Sequence, residues 1–167
     1  MLKEQPITRY EKAANNQETD RPPIWFMRQA GRYLPEYQVL RKKHGFQTMI
    51  RTPELATEIT LQPIDRFGVD AAILFSDILV TAEAMGLHLE YIEKKGPVFR
   101  DPVRSQEDIE SLSTDASSLK YVSDAIHCLI PELQKRQVPL IGFAGAPFTV
   151  ASYMIEGSSS TTLSETK

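Results

Sequence analysis

Short apolar runs alternate along the chain with longer stretches in which apolar residues recur every three or four positions. That alternation is expected of parallel strands joined by crossover helices, and it predicts an α/β fold. The first run, Ile24 to Met27, follows the turn formers Asp20, Pro22 and Pro23 and reads as a strand. Thr52-Pro53-Glu54 marks a helix start, because threonine caps free backbone N–H groups and proline is tolerated at the first helical position. Leu55 and Ile59 continue it at helical spacing, Pro63 is expected to end or kink it, and Gly68 stands where a left-handed terminator belongs. Val69 to Phe75 predicts a second strand. Leu87, Leu89 and Tyr91 alternate imperfectly with His88, Glu90 and Ile92, and Lys95, Gly96 and Pro97 follow them. This predicts a short strand and turn outside the main sheet.

Ser105 with Asp108 three residues on resembles a capping box ahead of Ile109 and Leu112. Leu119, Val122, Ile126, Leu129, Ile130 and Leu133 then fall on one helical stripe, which needs a sheet to cover it, and Pro131 is expected to bend its last part. Pro139 to Phe143 predicts a third strand, and Pro147 opens another helix that Gly157 can close. The stretch from Gly157 to Lys167, rich in Ser and Thr, reads as a loop. About three strand–helix units result, with no repeat of fixed period.

Composition narrows the function classes. The 167 residues are 41% hydrophobic and 25% charged, the balance of an ordinary globular domain. A formal net charge of -3 speaks against a general nucleic-acid or anionic-membrane surface. Cys128 is the single cysteine, and the three histidines form no HxxxH spacing, so neither an internal disulfide nor a structural zinc site is expected. Met1 to Tyr10 lacks the apolar core of a signal peptide. The longest apolar stretches, Ala71 to Phe75 and Val138 to Val150, fall short of the ~20 residues that span a bilayer. A cytoplasmic location is the expectation.

Three segments carry candidate chemistry, each just after a predicted strand, where ligands bind in such folds. In the first, Pro22 to Tyr37, two arginines flank the Gln29-Ala30-Gly31 turn, which is open to close approach, and each guanidinium, of Arg28 and of Arg32, can grip a carboxylate or phosphate with paired hydrogen bonds. The GxxxxGK[ST] spacing of a phosphate loop is absent, so the segment alone supports an anion site, against the plainer reading of two solvated surface charges. In Phe75-Ser76-Asp77-Ile78-Leu79 a carboxylate sits among apolar neighbours and requires a defined partner, either a ligand or a nearby Arg or helix N-terminus. In Gly142 to Gly157, small residues at 144 to 146 permit a tight turn, and Tyr153 lies on the following helix either as core or as a hydroxyl facing ligand.

The first and third segments resemble the two signature motifs of uroporphyrinogen decarboxylase, and Phe-Ser-Asp-Ile-Leu is similar to the family sequence between them. The resemblance runs from about Ile7 to the end of the chain. It implies the TIM (β/α)8 barrel family, with residues 1–167 forming the N-terminal part of one barrel domain, roughly the first three strand–helix units. It implies removal of the four acetate carboxyls of uroporphyrinogen III to give coproporphyrinogen III in haem biosynthesis, without metal or organic cofactor, by a homodimer. By the same resemblance Arg28, Gln29, Ala30, Gly31 and Arg32 line the substrate cleft, with Arg28 and Arg32 facing substrate carboxylates. Asp77 accepts hydrogen bonds from pyrrole N–H groups, Tyr153 reaches the reacting acetate, and Phe46 touches the macrocycle; Asp77 and Arg28 are the catalytic candidates. Two other readings are a truncated, inactive tetrapyrrole-binding fragment and a related barrel that transfers methyl groups with corrinoid partners. The Arg-Gln-Ala-Gly-Arg segment speaks against the second.

Overall fold

The computed structural model describes residues 7–93 and 95–166. The first residues of the stretch read for a signal peptide, 1–6, lie outside them. The described chain is mixed α/β. Its first elements are α1 (Arg9–Ala14), α2 (Pro35–Lys43), α3 (Phe46–Arg51), α4 (Pro53–Phe67), β1 (Ala72–Ile73) and α5 (Val80–Ala84). There follow β2 (Leu89–Ile92), β3 (Gly96–Phe99), α6 (Gln106–Glu110), α7 (Lys120–Arg136), β4 (Leu140–Ile141) and α8 (Pro147–Glu156). Two compact units result: one takes the chain up to Ser76 and again Tyr121–Phe143, the other Asp77–Lys120 and the chain from Ala144 on.

In the first unit, β1 and β4 pair in parallel, Ala72 opposite Leu140 and Ile73 opposite Ile141. The Ala72 N–H reaches the Pro139 carbonyl at 2.9 Å and the Leu74 N–H the Ile141 carbonyl at 3.2 Å, so bonding continues past the assigned strand. It stops at Phe75, whose N–H turns instead to the Thr60 hydroxyl of α4 at 2.9 Å. Ala56, Ile64, Val69, Ala72, Leu74, Ala125, Leu129 and Leu133 form the buried cluster that fastens α4 and α7 to this pair. A second cluster, Leu34, Tyr37, Leu40, Met49 and Ile59, joins α2 and α3 to the other side of α4.

The expected strand Ile24 to Met27 forms no ladder. Pro22 and Pro23 have no N–H to give, and the Phe26 N–H bonds the Gln29 side chain at 3.2 Å. One position keeps strand-like contact: the Asp70 N–H donates to the Ile24 carbonyl at 2.7 Å, and the Ile24 N–H to the Asp70 carboxylate at 2.8 Å. Pro63, expected to end or kink α4, lies inside it, and Pro131 lies inside α7. Each removes one backbone bond, but fully buried Ile59 precedes Pro63, and fully buried Leu129 and Leu133 flank Pro131, so packing holds the helix together. Thr52 is the N-cap of α4 without a side-chain cap bond, while Gly68 ends the helix in the left-handed region at φ 62°.

Asp70 is buried and binds the guanidinium of Arg21 at 2.6 Å as well as that of Arg9, which also holds Asp20. Burial pushes the Asp70 carboxyl up, but the Ile24 N–H and the two guanidiniums outweigh it and hold it below its usual value. A depressed folded-state value means that the stabilisation is present above the unfolded carboxylate range and is lost as pH falls through the folded value. Asp70→Asn should therefore cost about 2 kcal/mol at neutral pH, below the range for a fully buried broken pair because both arginines keep some water. It should also flatten the loss of stability below about pH 4. Denaturant unfolding of both proteins at neutral and acid pH measures this, and an unchanged acid dependence would contradict it.

In the second unit, β2 and β3 form an antiparallel hairpin with Leu89 opposite Phe99 and Ile92 opposite Gly96, the separate strand and turn expected there. Ser105 and Asp108 make the reciprocal capping box of α6. Gly157 closes α8 at φ 78°, and its carbonyl accepts the Phe99 N–H at 2.7 Å. Leu79, Ala82, Leu87, Leu89, Phe99 and Met154 are the buried core. No helix among the described residues is long and apolar enough to cross a membrane.

Candidate functional site

In the first unit the Arg28–Arg32 segment is a loop between two fixed points. Ahead of it, Asp70 holds Ile24. Behind it, Leu34 is fully buried at the N-terminus of α2, which Pro35 opens. Within it Gln29 is turned inward, 1% exposed, and its side-chain amide donates to the Ala71 carbonyl at 2.9 Å. Ala30 packs on the cluster around Leu34, and a Cβ at Gly31 would meet nothing nearer than the Tyr33 ring at 3.8 Å. Space therefore does not require glycine at position 31.

Arg28 and Arg32 are exposed. Neither guanidinium has a hydrogen-bond or ion-pair partner among the described residues, whereas Arg9, Arg21, Arg66, Arg100 and Arg136 each hold a carboxylate. Burial raises the Tyr37 hydroxyl above its usual value, and the charges of Arg41 and Arg32 offset part of that rise. The Arg32 charge is thus felt at the α2 face. Phe46 is half-buried, its ring edge-on to Phe75 at 5.8 Å between centroids, and Tyr37 meets Phe75 in the same manner. Phe46 therefore spends part of its surface on the core.

In the second unit Asp77 is partly buried, and its Oδ1 accepts the Leu79 N–H at 2.7 Å. This is the local turn that an aspartate makes with the backbone two residues on, and it leads into α5. The partner expected for a carboxylate in that run is thus a backbone N–H. Gly145, in the same unit, comes to this turn: a Cβ there would lie 3.3 Å from the Ile78 carbonyl oxygen and would overlap Val150 Cγ2. A side chain there would first displace Val150 on its own helix and would also crowd the approach to Ile78. Tyr153, half-buried on α8, packs against the core that holds Leu79 and Met154.

The inward amide of Gln29 and the Asp70 network escaped the sequence reading. Asp70 left a signal, a charged residue between Val69 and the apolar run from Ala71; Gln29 left none, since a polar side chain in a loop does not reveal its direction. No group of three or more His, Cys, Asp or Glu side chains is placed to hold a metal ion among the described residues.

A model of the family described as uroporphyrinogen decarboxylase (URO-D) matches residues 5–167. Curated proteins with that description are similar throughout. One from Roseiflexus sp. (strain RS-1) is 52% identical over 92% of this chain and 44% of its own length. Another from Thermodesulfovibrio yellowstonii is 54% identical over 93% of this chain and 46% of its own. A third, from Drosophila virilis, is 53% identical over 93% and 41%. The chain thus spans somewhat less than half the length of these relatives. Among solved structures, a methyltransferase from Methanosarcina mazei is similar in fold, with a TM-score of 0.69 at 24% identity, covering 90% of this chain and 45% of that one.

Proposed function

The chain belongs to the uroporphyrinogen decarboxylase family, and from that premise we propose that it forms the N-terminal part of a single (β/α)8 barrel that decarboxylates uroporphyrinogen III to coproporphyrinogen III in haem biosynthesis. The observation that carries this is the pair Arg28 and Arg32, exposed and unpaired among the described residues on a loop that is otherwise anchored, whereas Arg9, Arg21, Arg66, Arg100 and Arg136 each hold a carboxylate. Such guanidiniums suit the carboxylates of an octacarboxylate substrate. The methyltransferase resembles the chain in fold alone and adds nothing about activity.

Each acetate arm loses carbon dioxide and gains a proton to become a methyl group. The electron pair left by the departing carboxyl passes into a pyrrole protonated on its ring, so the substrate is its own electron sink. The chain's residues then bind and stabilise. Arg28, with Arg32, holds carboxylates; Asp77 accepts the pyrrole N–H groups and offsets the positive ring; Tyr153 orients the reacting acetate; Phe46 gives apolar contact to the macrocycle. Gly31 and Ala30 leave room beside the arginines. The same reading has the enzyme in the cytoplasm, as a homodimer, with no organic cofactor.

Two measurements test it. The chain continued by the C-terminal part of the Thermodesulfovibrio yellowstonii relative should release carbon dioxide from uroporphyrinogen under anaerobic conditions; a folded chimaera without turnover would overturn the reading. Arg28→Lys and Arg32→Lys should each weaken binding about tenfold, the loss of one charge-assisted hydrogen bond of the two a guanidinium offers. Titration with a porphyrinogen reads the effect, and lysine variants that bind as well as the parent would refute the two-pronged contact.

A further inference from the structure

We infer that Gln29 is a positioning residue for the two arginines rather than a group that meets substrate. The inference rests on the carboxylate-binding reading of Arg28 and Arg32. Gln29 is 1% exposed while Arg28 is exposed beside it. Its Nε2 donates to the Ala71 carbonyl at 2.9 Å, and Ala71 is fully buried directly ahead of β1. Its Oε1 accepts the Phe26 N–H at 3.2 Å, and its backbone N–H donates to the Phe26 carbonyl at 3.1 Å. Its own carbonyl accepts the Tyr33 hydroxyl. One inward residue thus ties the loop to the sheet and closes the loop on itself.

The consequence follows from what the arginines lack. Neither guanidinium is held by the described fold, so the backbone of this loop alone sets where each side chain starts. Without the Gln29 amide, the buried Ala71 carbonyl loses a donor and Phe26 loses its acceptor, and the loop relaxes to recover both from water. A guanidinium displaced from its position no longer meets both oxygens of a carboxylate with its paired hydrogen bonds.

Gln29→Met keeps the shape and removes both side-chain hydrogen bonds, and Tyr33→Phe removes only the hydroxyl bond from an exposed ring. Two quantities are read in each variant, made in the chimaera completed by the C-terminal part of the relative: exchange of the backbone amides at position 29 and at Leu34, and affinity for uroporphyrin, a stable octacarboxylate. Gln29→Met should speed exchange at both amides at least tenfold, leave the amides of α4 and α7 unchanged, and weaken uroporphyrin about tenfold. Tyr33→Phe should move the same two amides in the same direction by a smaller factor. Unchanged exchange in Gln29→Met, or a faster loop with undiminished binding, overturns the inference. Should Gln29→Met fail to fold, unchanged exchange in Tyr33→Phe overturns it. If the parent chimaera binds no uroporphyrin, the carboxylate-binding reading fails, and the exchange result decides on its own whether Gln29 sets the loop.

Discussion

Asp77→Asn, in the chain completed by the C-terminal part of a relative, should lower decarboxylation by two to three orders of magnitude while leaving the fold intact. Asparagine keeps an oxygen that can accept the Leu79 N–H, the 2.7 Å bond that fixes the turn into α5. The negative charge is lost, and with it the second carboxylate oxygen, whose place is taken by an NH2 that can only donate. That charge is the group proposed to offset the cation formed when the pyrrole is protonated, and removing one preorganised electrostatic group typically costs about 2.7–4 kcal/mol in the transition state. Asp77→Ala should be worse, because it also frees the turn. Steady-state assays with circular dichroism of each variant separate the two effects, and near-normal turnover by a folded Asp77→Asn enzyme would eliminate the electrostatic role.

The chain alone should give no measurable turnover. Within its first unit β4 is paired with β1 on one side, and no strand among the described residues covers its other edge. Unpaired strand edges seek partners. Ile24, Phe26 and Met27 are 53%, 58% and 76% exposed, an apolar run that a folded protein seldom leaves to water. Water also weakens every contact on which the proposed chemistry depends, since a solvated charge stabilises a cation far less than a sheltered one. Purified chain should self-associate in sedimentation and release no carbon dioxide from uroporphyrinogen, and adding the complementary C-terminal part should restore activity. A stable monomer that turns over at the rate of the completed chimaera would sink this expectation.

The features readable from sequence were those decided by a few adjacent residues. The Ser105–Asp108 box, the left-handed Gly68 and Gly157, and the turn behind Tyr91 each follow from local chemistry, and each stands in the structure as expected. Strand lengths were overestimated because apolar character extends further than pairing does: Phe75 is apolar, yet its N–H goes to Thr60. The helices α1 and α3 are six residues each, too short to display a period. Of α2 there was more to see, Pro35 at its start and Tyr37 and Leu40 three apart, both buried. At the candidate site the residue types were readable but not their directions. Gln29 and the arginines lie in one motif, and only the tertiary position of the Ala71 carbonyl turns the first inward.

The two sheets differ in how far apart along the chain their partners lie, and this sets an order of assembly. Leu89 and Phe99 meet across a hairpin, whereas Ala72 must find Leu140. Closing the longer loop costs more chain entropy before any contact rewards it, so the hairpin nucleates first and the parallel pair condenses late. During synthesis β1 emerges long before β4, and until then its carbonyls and N–H groups wait without their partner. Chaperone demand should therefore peak between those two points. Pulsed amide labelling during refolding should find hairpin amides protected ahead of Ala72 and Leu74, and the reverse order would contradict this sequence of events.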